Sequence, residues 1–115
     1  MRIEITEQGA PPAEQVYGQL RGLITSGQLA ADERLPSVRR LASDLGIAAG
    51  TVAKAYRHLE SDGLVVSRTG AGTRVSRSAT PVSQNVARAA RALASAARRE
   101  GLSAEDAVRI LRAVW

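Results

Sequence analysis

Thr51, Lys54 and Arg57 follow one another at intervals of three residues in the segment GTVAKAYRHLESDG. On a helix of about 3.6 residues per turn that spacing puts a hydroxyl and two cations along one side. Such a set donates hydrogen bonds to phosphate oxygens and to the acceptor edges of bases; it moves no proton and attacks no carbonyl. Two further groups carry the same chemistry: Ser37, Arg39 and Arg40 just after Pro36, and Arg68, Thr69, Gly70 and Gly72 in a glycine-containing stretch. The polyanion that matches them is double-stranded DNA, because a helix about 10–12 Å wide fits the major groove. Helix N-termini and glycine loops bring backbone N–H groups close to phosphate. Ala49 and Gly50, at the start of the same helix, offer only small surfaces to the groove.

Other chemistries find little support. The chain has no cysteine and a single histidine, His58, so neither a disulfide nor a transition-metal site is expected. His58 reads as a solvated or backbone-contacting side chain, and Asp44, Glu60 and Asp62 as solvated helix faces, not a catalytic pair. Gly70-Ala71-Gly72 lacks the Gly-Lys-Thr continuation of a phosphate loop. Tyr17 and Tyr56 fall on inward faces, as core residues. No catalytic residue, cofactor or metal is expected.

The formal net charge is +5, and Lys54 is the only lysine among sixteen basic residues. Regional counts matter more: residues 1–76 hold nine basic and eight acidic side chains, and residues 77–115 hold seven and three. Within 36–76 six basic residues meet three acidic ones, which permits a local basic face. An arginine-rich coding bias is the rival explanation of the high isoelectric point. The N-terminus has no apolar run of signal-peptide length and no stretch of about 18 apolar residues occurs, so no membrane association and a cytoplasmic location are expected.

The elements that position these groups follow from periodicity. Ile3 and Ile5 alternate with polar residues over residues 2–6, which predicts a short edge strand. Ala13, Val16, Tyr17, Leu20, Leu23 and Ile24 recur every three or four residues, predicting a helix over 12–27 that enters at Pro11 and Pro12 and leaves at Gly27. Leu29 and Leu35 should pin the following loop. Ser37 is placed to cap a second helix that ends at Gly46, with Val38, Leu41, Ala42 and Leu45 inward. Ile47 fills the corner, and a third helix over 49–62 turns Val52, Ala55, Tyr56 and Leu59 inward, leaving Lys54 and Arg57 outside. Residues 64–67 and 73–76 read as two strands joined by residues 68–72, a wing.

The run LPSVRRLASDLGI followed by GTVAKAYRHLESDGLVVSRTGAGTRV resembles the DNA-binding domain of the GntR family of bacterial transcription regulators. The resemblance extends over residues 12–76. It implies a mainly α fold with a small β wing, a winged helix-turn-helix, and a sequence-specific DNA-binding regulator acting as a repressor on a palindromic operator, as a homodimer. By motif it assigns Arg39 after Leu-Pro-Ser, Thr51 at the turn, and Gly70 and Gly72 in the wing. The chain departs from the pattern at Ala48, Ala49 and Gly50, where relatives often carry polar or basic residues. Three small residues make no bidentate base contact, so lower sequence discrimination, or more reliance on DNA shape, is expected.

Residues 79–115 are expected to be a two-helix dimerisation tail behind a DNA-binding domain of residues 1–78. Val86, Ala90, Leu93 and Ala97 form one stripe, and Val108, Leu111, Val114 and Trp115 another. Ser103 and Asp106 resemble a capping box. So short a tail is similar to the YtrA subfamily. Its alternatives are a hairpin folded back on the winged helix, and a Trp115 that lines a small-molecule cavity instead of closing a dimer. An unknown small-molecule effector would have to bind at the dimer interface or beside the winged helix. For the whole chain, the competing reading is a winged-helix protein–protein module without DNA.

Overall fold

The computed structural model describes residues 1–79 and 81–115. They form two compact units, Met1–Pro81 and Val82–Trp115.

In the first unit, α1 (Pro12–Thr25) opens on proline, whose fixed φ suits the first helical turn, and buries Val16, Leu20 and Ile24. α2 (Val38–Leu45) is capped by Ser37, whose hydroxyl accepts from the Arg40 N–H, and stops at Gly46 in the left-handed region, φ 67°. α3 (Ala49–Ser61) turns Val52, Ala55, Tyr56 and Leu59 inward. These side chains meet Leu29, Leu35, Val65 and Val75 in one core, each apolar side chain contributing about 1.5–3 kcal/mol by leaving water.

β1 (Val65–Arg68) and β2 (Gly72–Val75) pair antiparallel, with Val65 opposite Val75 and Arg68 opposite Gly72. The hairpin is one residue tighter on each side than the sequence suggests. Arg68 and Gly72 lie in the strands, and Thr69, Gly70 and Ala71 alone form the tip, closed by the Ala71 N–H donating to the Arg68 carbonyl at 3.0 Å. A third segment, residues 33–35, leaves a turn at Asp32 (φ 66°) and joins the free side of β2. The Leu35 N–H donates to the Thr73 carbonyl, and the Val75 N–H to the Glu33 carbonyl, both at 2.8 Å.

The N-terminal alternation is real, but it makes no strand. Residues 1–6 have no strand partner; Ile3 and Ile5 pack on the core while two α1 side chains stand in for a neighbouring strand. The Gln19 carboxamide accepts from the Glu4 N–H at 2.9 Å and donates to its carbonyl at 2.6 Å. Gln15 does the same for Thr6, at 2.9 Å in both directions. A carboxamide carries the same donor and acceptor as a peptide group, so two glutamines one helical turn apart satisfy alternate residues of the arm.

The second unit is a helical hairpin of α4 (Gln84–Arg99) and α5 (Ala104–Val114). α4 begins at Gln84 because Ser83 caps it, accepting from the Val86 N–H at 3.4 Å. α5 opens on a complete capping box: Ser103 Oγ accepts from the Asp106 N–H, and the Asp106 carboxylate accepts from the Ser103 N–H, both at 3.1 Å. That bond is the main reason the Asp106 carboxyl is held below its ordinary range, with Arg109 adding to it.

Candidate nucleic-acid interface

The turn between α2 and α3 is rigid for local reasons. Gly46 takes a φ that a side chain would strain, the Ile47 N–H returns to the Ala42 carbonyl at 3.1 Å, and Ile47 packs against the core. α3 then starts at Ala49 with Ala48 as an N-cap that supplies no side-chain acceptor. The Thr51 N–H returns to the Ala48 carbonyl at 3.1 Å, which leaves the Ala49 and Gly50 N–H groups to partners outside the helix.

Along α3, Gly50, Lys54 and Arg57 are exposed, while Thr51 is half-buried on the flank. Lys54 and Arg57 make no ion pair among the described residues. Neither does Arg39 on α2, but its neighbour Arg40 is held by Asp44 at 3.4 Å. Of the two α2 arginines, Arg39 is thus the cation with no competing carboxylate. The Ser37 hydroxyl is engaged as the α2 cap and keeps its own proton to donate. In the wing, Arg68, Thr69, Gly70 and Gly72 are all exposed, and positive φ angles of 80° at Gly70 in the tip and 75° at Gly72 where β2 begins allow the tight turn.

Two side chains seat these groups on the core. Tyr56 Oη donates to the Pro36 carbonyl at 2.7 Å, tying α3 to the loop that begins α2, and burial pushes its phenol up to about 12. The Ser67 N–H donates to Glu60 Oε2 at 3.2 Å and fastens β1 to the end of α3. Glu60 is therefore a tether, not a merely solvated residue.

His58 and Asp62 also differ from expectation. The His58 ring stacks on Tyr17 at 3.8 Å between centroids, and Asp62 accepts from the Tyr17 hydroxyl while lying 3.4 Å from Arg21 Nη1 and 3.6 Å from His58 Nε2. This cluster clamps α1 to the C-terminal end of α3. Its one fixed cation, Arg21, faces a carboxylate, unlike Lys54 and Arg57.

Sequence reasoning passed over Arg34 and Arg74, which face each other across the bridge between residues 33–35 and β2. The signal was present: each is followed by a buried apolar residue, Leu35 or Val75, so each belongs to a strand with one wet face.

In the second unit Ala97 is buried and Leu93 half-buried, whereas Val86, Ala90, Val108, Leu111, Val114 and Trp115 are exposed. Val82, Leu102 and Ile110 add to this apolar surface and were not anticipated.

A helix-turn-helix with a three-segment wing is the fold, and the sequence profile of the bacterial regulatory proteins of the gntR family matches residues 12–75. The chain belongs to the GntR family. It is 40% identical over 111 residues to the HTH-type transcriptional regulator Rv1152 of Mycobacterium tuberculosis, a match covering 96% of this chain and 90% of that protein. Against the HTH-type transcriptional repressor YtrA of Bacillus subtilis it is 36% identical over 78 residues, covering 67% of this chain and 60% of that one. Among solved structures, AraR(DBD) in complex with operator ORX1 superposes with a TM-score of 0.60 at 29% identity, covering 66% of this chain and 99% of that chain. The GntR chain described here is accordingly a DNA-binding transcriptional regulator, which sets aside the protein–protein module. No helix among the described residues is long and apolar enough to cross a membrane.

Proposed function

We propose that this GntR regulator acts as a cytoplasmic homodimeric repressor. Its winged unit grips DNA through Arg39, Thr51, Lys54, Arg57, Arg68 and the Gly70–Gly72 tip, with Ser37, Arg40, Ala49, Gly50 and Thr69 at the rim. The observation that carries the reading is an asymmetry of α3: its inner side is fully buried, while Lys54 and Arg57 on the outer side are exposed and carry no carboxylate partner among the described residues. Cations left unneutralised on a rigid helix are available to phosphates and base edges. The relatives named above, one of them a repressor and another solved on its operator, support the same reading.

Pairing of residues 79–115 with a second copy would hide the apolar side chains of α4 and α5 and set two recognition helices about one turn of DNA apart, which a palindromic operator mirrors. An effector acting through this arrangement would do so by altering the tail pairing. Because Ala48, Ala49 and Gly50 read few base edges, discrimination is low, with no single mismatch costing more than about 3 kcal/mol.

The test uses full-length protein and duplex selected from genomic fragments. Binding should weaken by about three decades or more between about 50 and 200 mM salt for six or more phosphate contacts. Arg39→Glu and Lys54→Glu should each abolish it with the melting temperature unchanged. Undiminished binding by both variants would sink the proposal.

A further inference from the structure

The wing has an inner and an outer face, and its pleat assigns every residue to one of them. Val65 and Val75 are directly paired and buried, so their neighbours Val66 and Arg74 point outward, as do Arg68 and Gly72. Leu35 is buried, which turns Arg34 outward, directly opposite Arg74. Three arginines, Arg34, Arg68 and Arg74, therefore share one face of a sheet two strands and a bridge wide. The Arg34 guanidinium lies over the Gly72 backbone, with Nε and Nη2 each 3.0 Å from where a Cβ on that residue would stand. Any side chain at position 72 would displace it.

Like charges opposite each other oppose sheet formation unless something neutralises them. Among the described residues no carboxylate does. The adjacent acid, Asp32, is 3.5 Å from Arg77, and to this trio it offers only its backbone carbonyl, which accepts from Arg74 Nη1 at 3.1 Å. Elsewhere in the same unit Arg2, Arg21, Arg40 and Arg77 each have an acidic partner. Like Arg39, Lys54 and Arg57, these charges are left to solvent ions or to an anionic partner. An open cleft of about 490 Å³ lies beside Arg68 and Arg74, lined also by Gly72, Arg77 and Asp32, with Arg34 outside it across β2.

We propose that Arg34, Arg68 and Arg74 form a second backbone clamp, holding phosphates of the duplex beyond the bases that α3 reads. The inference rests on the DNA-binding reading and extends it. Strands about 4.8 Å apart carry the backbones of the three arginines across roughly 10 Å, and the Arg34 guanidinium reaches back over Gly72, so the three charges face one short run of phosphates. The face is also continuous with the tip, which begins one residue after Arg68. Arginine forks that find phosphate oxygens there add affinity without sequence information. The weak base-reading surface at Ala48, Ala49 and Gly50 is then offset by a larger footprint on the backbone.

The probe is a 40-base-pair duplex obtained by cyclic selection with wild-type full-length protein, titrated across a salt series with R34Q, R74Q and R34K. R34Q and R74Q should each reduce the log–log salt slope by about 1 and weaken binding about tenfold near 0.1 M salt, equally on operator and mixed-sequence duplexes. R34K, which keeps the charge, should keep the slope. An unchanged slope in R34Q and R74Q, with wild-type binding intact, overturns the clamp and leaves the DNA-binding reading standing. Absence of any salt-dependent duplex binding by wild-type protein overturns both. Calorimetry with inorganic pyrophosphate separates the remaining source: saturable binding lost in R34Q, with the DNA slope unaltered, would make the face a small-anion site and reject the clamp.

Discussion

Val65 and Val75 in the winged unit are each 1% exposed, whereas Val114 and Trp115 in the tail are 77% and 97% exposed. Both units are amphipathic, yet only the first closes on itself. Three helices and a hairpin of different orientation surround one core there, so every apolar stripe finds another. Two helices alone have no third surface with which to cover their outer flanks. The charges show the reverse pattern: the winged unit leaves Lys54, Arg57 and Arg39 without acidic partners on its surface, while α5 begins with a satisfied Ser103–Asp106 box and an Arg109–Asp106 pair at 3.0 Å. One unit is finished inside and incomplete outside in charge. The other is finished in its caps and incomplete in its apolar cover.

That contrast is broken most directly in the tail. Under the proposed tail pairing, Val108→Glu with Leu111→Glu should convert the dimer to a monomer in sedimentation, and operator affinity should fall about 10²- to 10⁴-fold as bivalent binding is lost. The melting of the winged unit should not move. A variant that remains dimeric would place the interface elsewhere.

A change in the other unit should act the opposite way. Leu59→Ala in the core costs about 2–5 kcal/mol, seen as a large drop in the thermal midpoint, while the tail's association is untouched in whatever protein stays folded.

Tyr56→Phe comes next. It removes the bond to the Pro36 carbonyl for about 1 kcal/mol and alters the alkaline limb of stability. In the wild-type protein the unfolded phenol ionises near pH 10, but the folded one only near about 12. Its contribution is complete below pH of about 10 and is lost as pH rises between these values; the phenylalanine variant should lack that decline in a urea-melt series.

The smallest effect belongs to Asp106. Its folded-state carboxyl is held below the ordinary value, so its contribution is present above pH of about 4 and lost as pH falls through the lower folded value. Circular dichroism should show a slight loss of helicity there that Asp106→Asn, with no titratable group, does not share.

Much of the first unit was legible because its helices announce themselves by spacing. Val52, Ala55, Tyr56 and Leu59 fall on one side of α3 in any helical projection, and Ser37 and Gly46 mark the limits of α2. What escaped reading was non-local. Arg68 and Gly72 look like turn residues because nothing in the sequence shows that they face each other. Arg34 lies far along the chain from Arg74, and their adjacency exists only once residues 33–35 join β2. His58 carries no sign that Tyr17, on another helix, will lie against its ring. Alternation at Ile3 and Ile5 pointed to an edge strand that does not form: the two side chains pack on the core, but the backbone partners are side-chain carboxamides, which leave no strand-like pattern in sequence.

Those carboxamides give the arm a chemical lifetime. Deamidation of Gln15 or Gln19 would exchange an NH₂ donor for a carboxylate oxygen aimed at the Thr6 or Glu4 carbonyl, turning a 2.9 or 2.6 Å attraction into repulsion. Ageing of the protein by a single atom exchange and one added negative charge would thus unfasten its first six residues while leaving the three-helix core intact.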